Sequence, residues 1–183
     1  MEGKKNIVFG FLFLVMTASL GPYMVVNLLP DAAKASAAKQ QVLSSLQLAV
    51  NSDFENQETL ETMTAEEIAK ANSFAIMAIN TNLNARSPID TIKGGPHAHG
   101  NLESILNIAV GLVLGLLTLP ALFKQLLSWI FIIGTIAHSG MAFFAVFGFA
   151  WANTILGTGI GAIMILLGLL LMGIATVVGY KKS

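Results

Sequence analysis

Residues 154–180 read TILGTGIGAIMILLGLLLMGIATVVGY, a run of 27 residues without a charged side chain. About 20 apolar residues in a helix are enough to cross the hydrocarbon core of a bilayer, whereas helices of soluble domains average about 11 residues. Three further apolar runs precede this one, and the four together predict transmembrane helices at residues 6–29, 101–123, 126–151 and 154–180. The predicted fold class is therefore all-α: a four-helix transmembrane bundle with an extramembrane helical insertion at residues 30–100.

The composition of the 183-residue chain agrees with a membrane protein. Hydrophobic residues make up 55% of the chain and charged residues 11%, whereas soluble domains carry about 25% charged residues. The absence of cysteine excludes disulfides, thiolate metal sites and a cysteine nucleophile. The net charge is zero, and the sequence has neither the basic cluster of a nucleic-acid-binding protein nor a nucleotide-binding, EF-hand or zinc-protease motif.

The distribution of lysines predicts the topology in the membrane. With four crossings, the lysines at the span ends all fall on one side, which the positive-inside rule assigns to the cytoplasm. Both termini are therefore predicted to be cytoplasmic, in a cell membrane, and residues 30–100 to lie outside. This outer segment is mildly acidic, with eight Asp and Glu residues, Glu58 among them, against five Lys and Arg residues. The lysines in question are Lys4, Lys5, Lys124, Lys181 and Lys182.

The first apolar run can also be interpreted as a secretory signal peptide, because Lys4-Lys5 resembles a basic start and Ala35-Ser36-Ala37 a cleavage site. Its apolar part, however, extends from Ile7 to Leu29, well beyond the about 7–15 residues usual for such peptides. A permanent helix, bent near Gly21-Pro22, is therefore the preferred interpretation.

The insertion at residues 30–100 is predicted to contain two helices. Residues 32–50 are rich in Ala, Gln and Leu, and the S/T-x-x-E pattern from Thr64 to Glu67 predicts a capped second helix that runs to about Asn80. Residues 82–95 are predicted to be a loop because they contain Ser-Pro and Gly-Gly pairs.

Glycine spacing predicts close packing of the membrane helices. The last three spans are joined by short connections, so they should pack as antiparallel neighbours. Two G-x-x-x-G pairs, Gly111 with Gly115 and Gly157 with Gly161, are typical of such contacts between membrane helices.

The second span begins with ionisable side chains. Residues 94–111 read GGPHAHGNLESILNIAVG, in which His99 and Glu103 are four residues apart and share a helix face with Asn107. His97 cannot share that face and is predicted to lie in the preceding loop. His99 is interpreted as a metal or haem ligand, a proton donor, or an interfacial side chain bonded to Glu103. In the first case the Glu103 carboxylate would orient the ligating imidazole.

A third histidine, His138, lies near the middle of the third span, where a polar side chain is expected to face the bundle. If the chain turns at Lys124-Gln125, His99 is about 25 residues and His138 about 13 residues from the turn, a difference of roughly 18 Å in depth. The two imidazoles are therefore predicted to be too far apart to bind one iron, whose axial nitrogens are about 4 Å apart.

The segment from Pro96 to Leu117, with its Ala98-His99-Gly100 start, resembles the second helix of the styrene oxide isomerase family. The polar third helix at residues 128–144 and the closing sequence GIATVVGY are also similar. The resemblance covers spans two to four. It implies four membrane helices, a homotrimer, and haem b ligated by His99. It also implies Lewis-acid chemistry at ferric iron, which opens an epoxide and yields an aldehyde by hydride shift.

The chain departs from the family pattern at several positions of the third helix. Gly134 and Ala142 stand where the family has aspartate and tyrosine, and His138 stands where it has asparagine. In the second helix, Asn107 can substitute for an asparagine of the family that aligns near Ile105.

Three functions are consistent with these observations. The first is a haem b protein, with His99 as the metal ligand and Glu103 and Asn107 as further cofactor-binding residues, which acts as an epoxide isomerase or binds haem without that activity. The alternative is a non-enzymatic accessory or assembly subunit that binds a membrane protein partner through its outer segment. The third is a small transporter or proton path that uses Glu103, Asn107 and His138. The sequence assigns no catalytic residue.

Overall fold

The computed structural model describes residues 3–55, 59 and 61–180. Glu58, Lys181 and Lys182, which enter the charge argument above, lie outside the described residues. Apart from two isolated antiparallel bridges, the regular structure of the described residues is helical, so the predicted all-α class is confirmed. The α-helices are α1 Lys4–Ala18, α2 Leu20–Tyr23, α3 Leu29–Asn51, α4 Ala65–Ile92, α5 Ala98–Leu116, α6 Ala121–Thr135, α7 Met141–Val146, α8 Ala150–Gly157 and α9 Ile160–Gly179.

Three π-helical turns connect some of these helices end to end, at Met24–Leu28, Lys93–His97 and Ile136–Gly140. Four helical stretches are long and apolar enough to cross a membrane, in agreement with the four apolar runs: Lys4–Asn51, Ala65–Leu116, Ala121–Val146 and Ile160–Gly179. The chain is therefore a multi-pass membrane protein.

The membrane unit, which we define as residues 3–22 and 91–180, is organised around α5. The α1 helix packs along one side of it so closely that a Cβ atom on Gly10 would lie 2.6 Å from the Ser104 carbonyl oxygen. On another side, α5, α6 and α9 enclose an apolar core. The buried members of that core are Val110, Leu114, Leu117, Leu127, Phe131, Met172 and Ala175.

In each G-x-x-x-G pair, one of the two glycines lies at a close contact with a neighbouring helix. A Cβ atom on Gly111 would lie 2.6 Å from the Gly3 carbonyl oxygen, and one on Gly161 would lie 2.4 Å from the His138 backbone nitrogen. A Cβ atom on Gly115 or Gly157 would meet nothing within 4 Å. The expected close packing is therefore confirmed for Gly111 and Gly161 and is wrong for the other member of each pair.

The turn between the second and third spans does not lie at Lys124-Gln125, as predicted. Both residues belong to α6, and the chain is extended at Leu117 and at Pro120, which directly precedes α6. The reason is that proline lacks a backbone N–H and is favoured at helix starts. The second span thus ends as a helix at Leu116, seven residues before the predicted boundary of 123.

The last two predicted spans are also interrupted. The helix predicted for residues 126–151 ends at Val146, because Gly148 adopts the left-handed conformation with φ of +86°. Gly159, with φ of +68°, separates α8 from α9. The final long helix therefore begins at Ile160 rather than near Thr154.

The unit Tyr23–Asp90 contains the two helices that the sequence predicts, but the second helix is longer. The predicted cap is confirmed, since the Thr64 backbone N–H donates to a Glu67 carboxylate oxygen at 2.8 Å and the Glu67 N–H donates to the Thr64 hydroxyl at 3.2 Å. The loop predicted for residues 82–95 is wrong up to Ile92, because α4 continues through Pro88. Proline in a helix interior removes one backbone hydrogen bond and crowds the carbonyl four residues earlier, but its fixed φ is helical, and α4 continues through Pro88.

Candidate functional site

Two histidines at the start of α5 have different environments. Gly95 interrupts the helical path with φ of −102° and ψ of −109°, and His97 lies in the π-helical turn that contains this kink. The His97 Nδ1 is 3.1 Å from the Thr17 carbonyl oxygen of α1. His99, on the first turn of α5, is exposed and has no hydrogen-bond partner among the described residues. His97 is therefore held by the fold, whereas His99 is not.

His138 lies in the π-helical turn Ile136–Gly140, which joins α6 to α7. Such turns insert an extra residue into a helix, redirect the side chains around it, and occur often at functional sites. Here the His138 Nδ1 lies 2.5 Å from the Glu103 Oε1 of α5. Because an ionised carboxylate only accepts hydrogen bonds, the His138 Nδ1–H is the donor, and the Nε2 atom has no hydrogen-bond partner among the described residues.

The predicted separation of His99 and His138 is wrong. Their ring centroids are 5.3 Å apart, with the rings edge to face at 68°. The depth estimate failed because it placed the turn at Lys124-Gln125. With the turn at residues 117–120, His99 lies 18 residues before Leu117 (117 − 99) and His138 lies 17 residues after Ala121 (138 − 121). The two rings meet edge to face rather than facing each other across a plane.

Glu103 is the buried centre of this group of side chains. It is 5% exposed, and its Oε2 atom has no hydrogen-bond partner among the described residues. The predicted partner of Glu103 was His99, one turn earlier on the same helix, but the carboxylate bonds to His138 instead. We refer to His99, Glu103 and His138 together as the histidine cluster.

Asn107, one turn further along α5, belongs to a second group that we call the amide layer. Its Nδ2 donates to the Thr135 hydroxyl at 2.9 Å, and its Oδ1 accepts from the Asn6 Nδ2 at 3.1 Å. The Ser128 hydroxyl donates to the Asn6 Oδ1. The four members, all buried, are Asn6, Asn107, Ser128 and Thr135.

Sequence reasoning identified Asn107 but missed its three partners in the amide layer. Asn6 lies 101 residues from Asn107 and 122 from Ser128, so no local pattern connects them. One signal was available, because each is a polar residue inside an apolar run, and such residues are expected to face a bundle interior rather than lipid.

Within residues 3–55, 59 and 61–180, no three His, Asp or Glu side chains are arranged to hold one metal. Chemically, the cluster offers one exposed imidazole, one imidazole oriented by a carboxylate, and one carboxylate oxygen that can accept a further hydrogen bond.

The fold and the cluster define the class: an all-α, multi-pass membrane protein in which an exposed histidine contacts a second histidine that is bonded to a buried carboxylate. Comparisons of the chain with protein-family models, with curated proteins and with solved structures give no match.

Proposed function

We propose that this membrane protein binds haem b through the imidazole of His99. The observation that carries the proposal is the state of this side chain: it is exposed, it has no hydrogen bond among the described residues, and it contacts an imidazole that a buried carboxylate orients. His97, by contrast, is hydrogen-bonded to the Thr17 carbonyl, so its ring is held by the fold and is not available to a ligand in the same way.

The donor set fits a haem better than a free ion. A free transition-metal ion needs about three protein ligands, which the described residues do not assemble. The iron of haem brings four porphyrin nitrogens, so a single imidazole such as His99 can hold it. Next to His99 on α5, the exposed side chains of Leu102 and Ile105 offer apolar surface for the macrocycle.

Because His99 is exposed on the single chain, the other side of a haem bound there needs cover from a second copy. The resemblance to styrene oxide isomerases supports a homotrimer as the assembly that provides it. Glu103 and Asn107 would complete the cofactor site from the inside of the bundle, Glu103 by fixing the ring of His138 and Asn107 by fixing α5 against α6.

When bound, ferric haem would supply a Lewis acid, and the same resemblance supports isomerisation of an epoxide to an aldehyde as the reaction. This chain would have to meet the substrate with a different polar group from the family's, since Gly134 and Ala142 lack functional side chains. His138 is the group available for that purpose, because Glu103 holds its Nδ1 and leaves its Nε2 to face a ligand.

The proposal is tested by the absorption spectrum of detergent-purified protein from haem-supplemented cells. Wild-type protein is expected to show a Soret band that His99→Gly abolishes and that added imidazole restores, because free imidazole can occupy the vacated position. His97→Gly is the matched control and should keep the band, since His97 bonds to Thr17 and not to the cofactor. A featureless wild-type spectrum, or a full Soret band in His99→Gly, would contradict the proposal.

An accessory role is favoured by a different observation. In the unit Tyr23–Asp90, α3 and α4 line an apolar cavity of about 510 Å³ that includes Val42, Leu46 and Phe74. Phe74 is 52% exposed, which is more typical of a protein-binding surface than of a closed core. An accessory subunit would be colourless and would co-purify with a partner in mild detergent. Phe74→Glu should then release that partner while the neighbouring exposed Ser73→Glu should not.

A further inference from the structure

A polar pocket lies at the end of the membrane unit remote from His99. Its volume is about 580 Å³, and Thr118, Lys124 and Tyr180 line it. The pocket follows the C-terminal end of α5, and the 17 residues between His99 and Leu116 correspond to roughly 25 Å of helix. This pocket is therefore separate from the histidine cluster.

The walls of the pocket are held by backbone hydrogen bonds. The Thr118 N–H donates to the Gly179 carbonyl at 2.7 Å, and Leu117 forms an antiparallel bridge with Tyr180. The Lys124 ammonium donates to the Leu117 carbonyl at 3.1 Å. These bonds connect the turn between α5 and α6 to the end of α9, so the backbone positions of Thr118, Lys124 and Tyr180 are held around one opening.

The polar groups of the pocket are hydrogen-bond donors with a positive charge among them. The Thr118 hydroxyl and the Tyr180 phenol have no hydrogen-bond partner among the described residues, and the Lys124 ammonium, which is bonded to the Leu117 carbonyl, places a positive charge beside them. Lys5 lies at the same end, since its ammonium is 2.5 Å from the Gln125 Oε1. This donor set matches an anionic oxygen group such as a phosphodiester.

An apolar groove lies along the exposed face of α9, the helix whose C-terminal end is next to this pocket. It spans nine residue steps, roughly 14 Å of helix. Tyr180 follows Val177 by three residues and Gly173 by seven, so it continues the same helix face. The groove has a volume of about 490 Å³ and is lined by Leu169, Leu170, Gly173, Ile174, Val177 and Val178.

We propose that the pocket and the groove together form a binding site for one anionic phospholipid. The phosphodiester headgroup occupies the pocket at Thr118, Lys124 and Tyr180, and an acyl chain lies in the groove of α9. A positively charged pocket next to an apolar groove of the same helix matches a phospholipid, which has both a headgroup and acyl chains, better than a soluble anion. Basic pockets at membrane helix ends are suited to anionic headgroups, and each lysine near the surface contributes about 1 kcal/mol, roughly fivefold in affinity.

The test is native mass spectrometry of the delipidated full chain, supplied with phosphatidylglycerol or with phosphatidylcholine of the same acyl chains. Wild-type protein is expected to retain phosphatidylglycerol roughly five- to tenfold more strongly. Lys124→Gln should abolish this preference, whereas Lys39→Gln, which changes a half-buried lysine of α3 in the other unit, should leave it intact. A Lys124→Gln protein with the wild-type preference would overturn the proposal.

A second pair of variants tests the groove without disturbing the interior. A Cβ atom on either Gly173 or Gly157 would meet nothing within 4 Å, so leucine can be placed at both positions. Gly173→Leu fills the groove and should weaken retention of both lipids, while Gly157→Leu, on α8, should not change it. Unchanged retention in Gly173→Leu would contradict the acyl-chain part of the site. Displacement of the lipid by glycerol phosphate at the same concentration would show a soluble-anion site and would also overturn the proposal.

Discussion

The amide layer and the histidine cluster are both polar groups inside one apolar bundle, and they differ in hydrogen bonding. In the amide layer, every buried side-chain nitrogen and oxygen has a partner. In the histidine cluster, one short bond joins Glu103 to His138, the other oxygen of Glu103 has no partner among the described residues, and His99 makes no hydrogen bond.

This difference separates the amide layer, whose polar side chains stabilise the fold, from the histidine cluster, whose polar side chains are available to a ligand. A buried polar atom without a partner costs about 1–3 kcal/mol, so a protein retains one chiefly where function requires it. The amide layer joins α1, α5 and α6 through closed hydrogen bonds and leaves no capacity unused. In the histidine cluster, two histidines and a carboxylate meet, and the Glu103 Oε2 atom has no hydrogen-bond partner among the described residues.

The largest effect is expected from breaking the amide layer with Asn6→Leu. The substitution removes the bond partners of the Asn107 Oδ1 and of the Ser128 hydroxyl, both buried. Each group left without a partner costs about 1–3 kcal/mol, so the midpoint of thermal unfolding in detergent should fall markedly, as measured by circular dichroism. Asn153→Leu, at an exposed position of α8, is the control. Equal midpoints for the two variants would show that the amide layer does not stabilise the bundle.

The second largest effect on stability is expected from the close contact between Gly161 of α9 and the backbone of His138. A Cβ atom on Gly161 would lie 2.4 Å from the His138 backbone nitrogen, so Gly161→Ala must displace α9 or the π-helical turn that carries His138. Overpacking of this kind costs about 1–3 kcal/mol. Gly157→Ala, the other half of the G-x-x-x-G pair, should leave the unfolding midpoint unchanged because its Cβ meets open space. If both variants unfold at the same temperature, the assigned contact is wrong.

The membrane class could be predicted from sequence because it depends on apolar length alone, as residues 154–180 illustrate. The cap at Thr64 and Glu67 was equally accessible, since its two partners are three residues apart. The turn before α6 could not be predicted, because Lys124 is a charged residue between two apolar runs and so indicates a polar connection, although it lies within α6. A lysine in a membrane helix can extend its ammonium to a nearby carbonyl, as Lys124 does to Leu117, and Pro120 was the better signal.

The candidate site depended on that turn. Moving it from Lys124-Gln125 to residues 117–120 brings His99 and His138 to equal distances from the turn and into contact. The bond between Glu103 and His138 then follows from tertiary packing and from the π-helical turn, neither of which leaves a periodic pattern in the sequence. Sequence reasoning could therefore identify the residue types of the site but not which of them meet.

A smaller effect on stability is expected from Glu103→Gln. Its unfolding midpoint, compared with that of Asn6→Leu, tests whether the histidine cluster contributes less to stability than the amide layer. The glutamine carbonyl can still accept the Nδ1–H bond of His138, while a buried charge with one unpartnered oxygen is removed. Because burying a charge is costly, the unfolding midpoint should stay unchanged or rise slightly, within about 1 kcal/mol. A fall as large as that of Asn6→Leu would place Glu103 among the structural residues and would remove the distinction between the two groups.

The smallest effect on stability is expected from Thr64→Ala. This substitution removes side-chain hydrogen bonds between Thr64 and Glu67 that are exposed to water. Thr64 and Glu67 exchange hydrogen bonds at the start of α4, as closed an arrangement as the amide layer. Water can replace each of these bonds, so losing the cap should only fray the first turn. Amide hydrogen exchange of residues 65–68 should accelerate by about fivefold, without a change in the global unfolding midpoint. Thr81→Ala, at an exposed position in the interior of α4, should leave that exchange unaffected. A lower global unfolding midpoint in Thr64→Ala would mean that losing a fully hydrogen-bonded polar group is as costly at an exposed site as in the buried amide layer. That result would contradict the contrast drawn between the two sites.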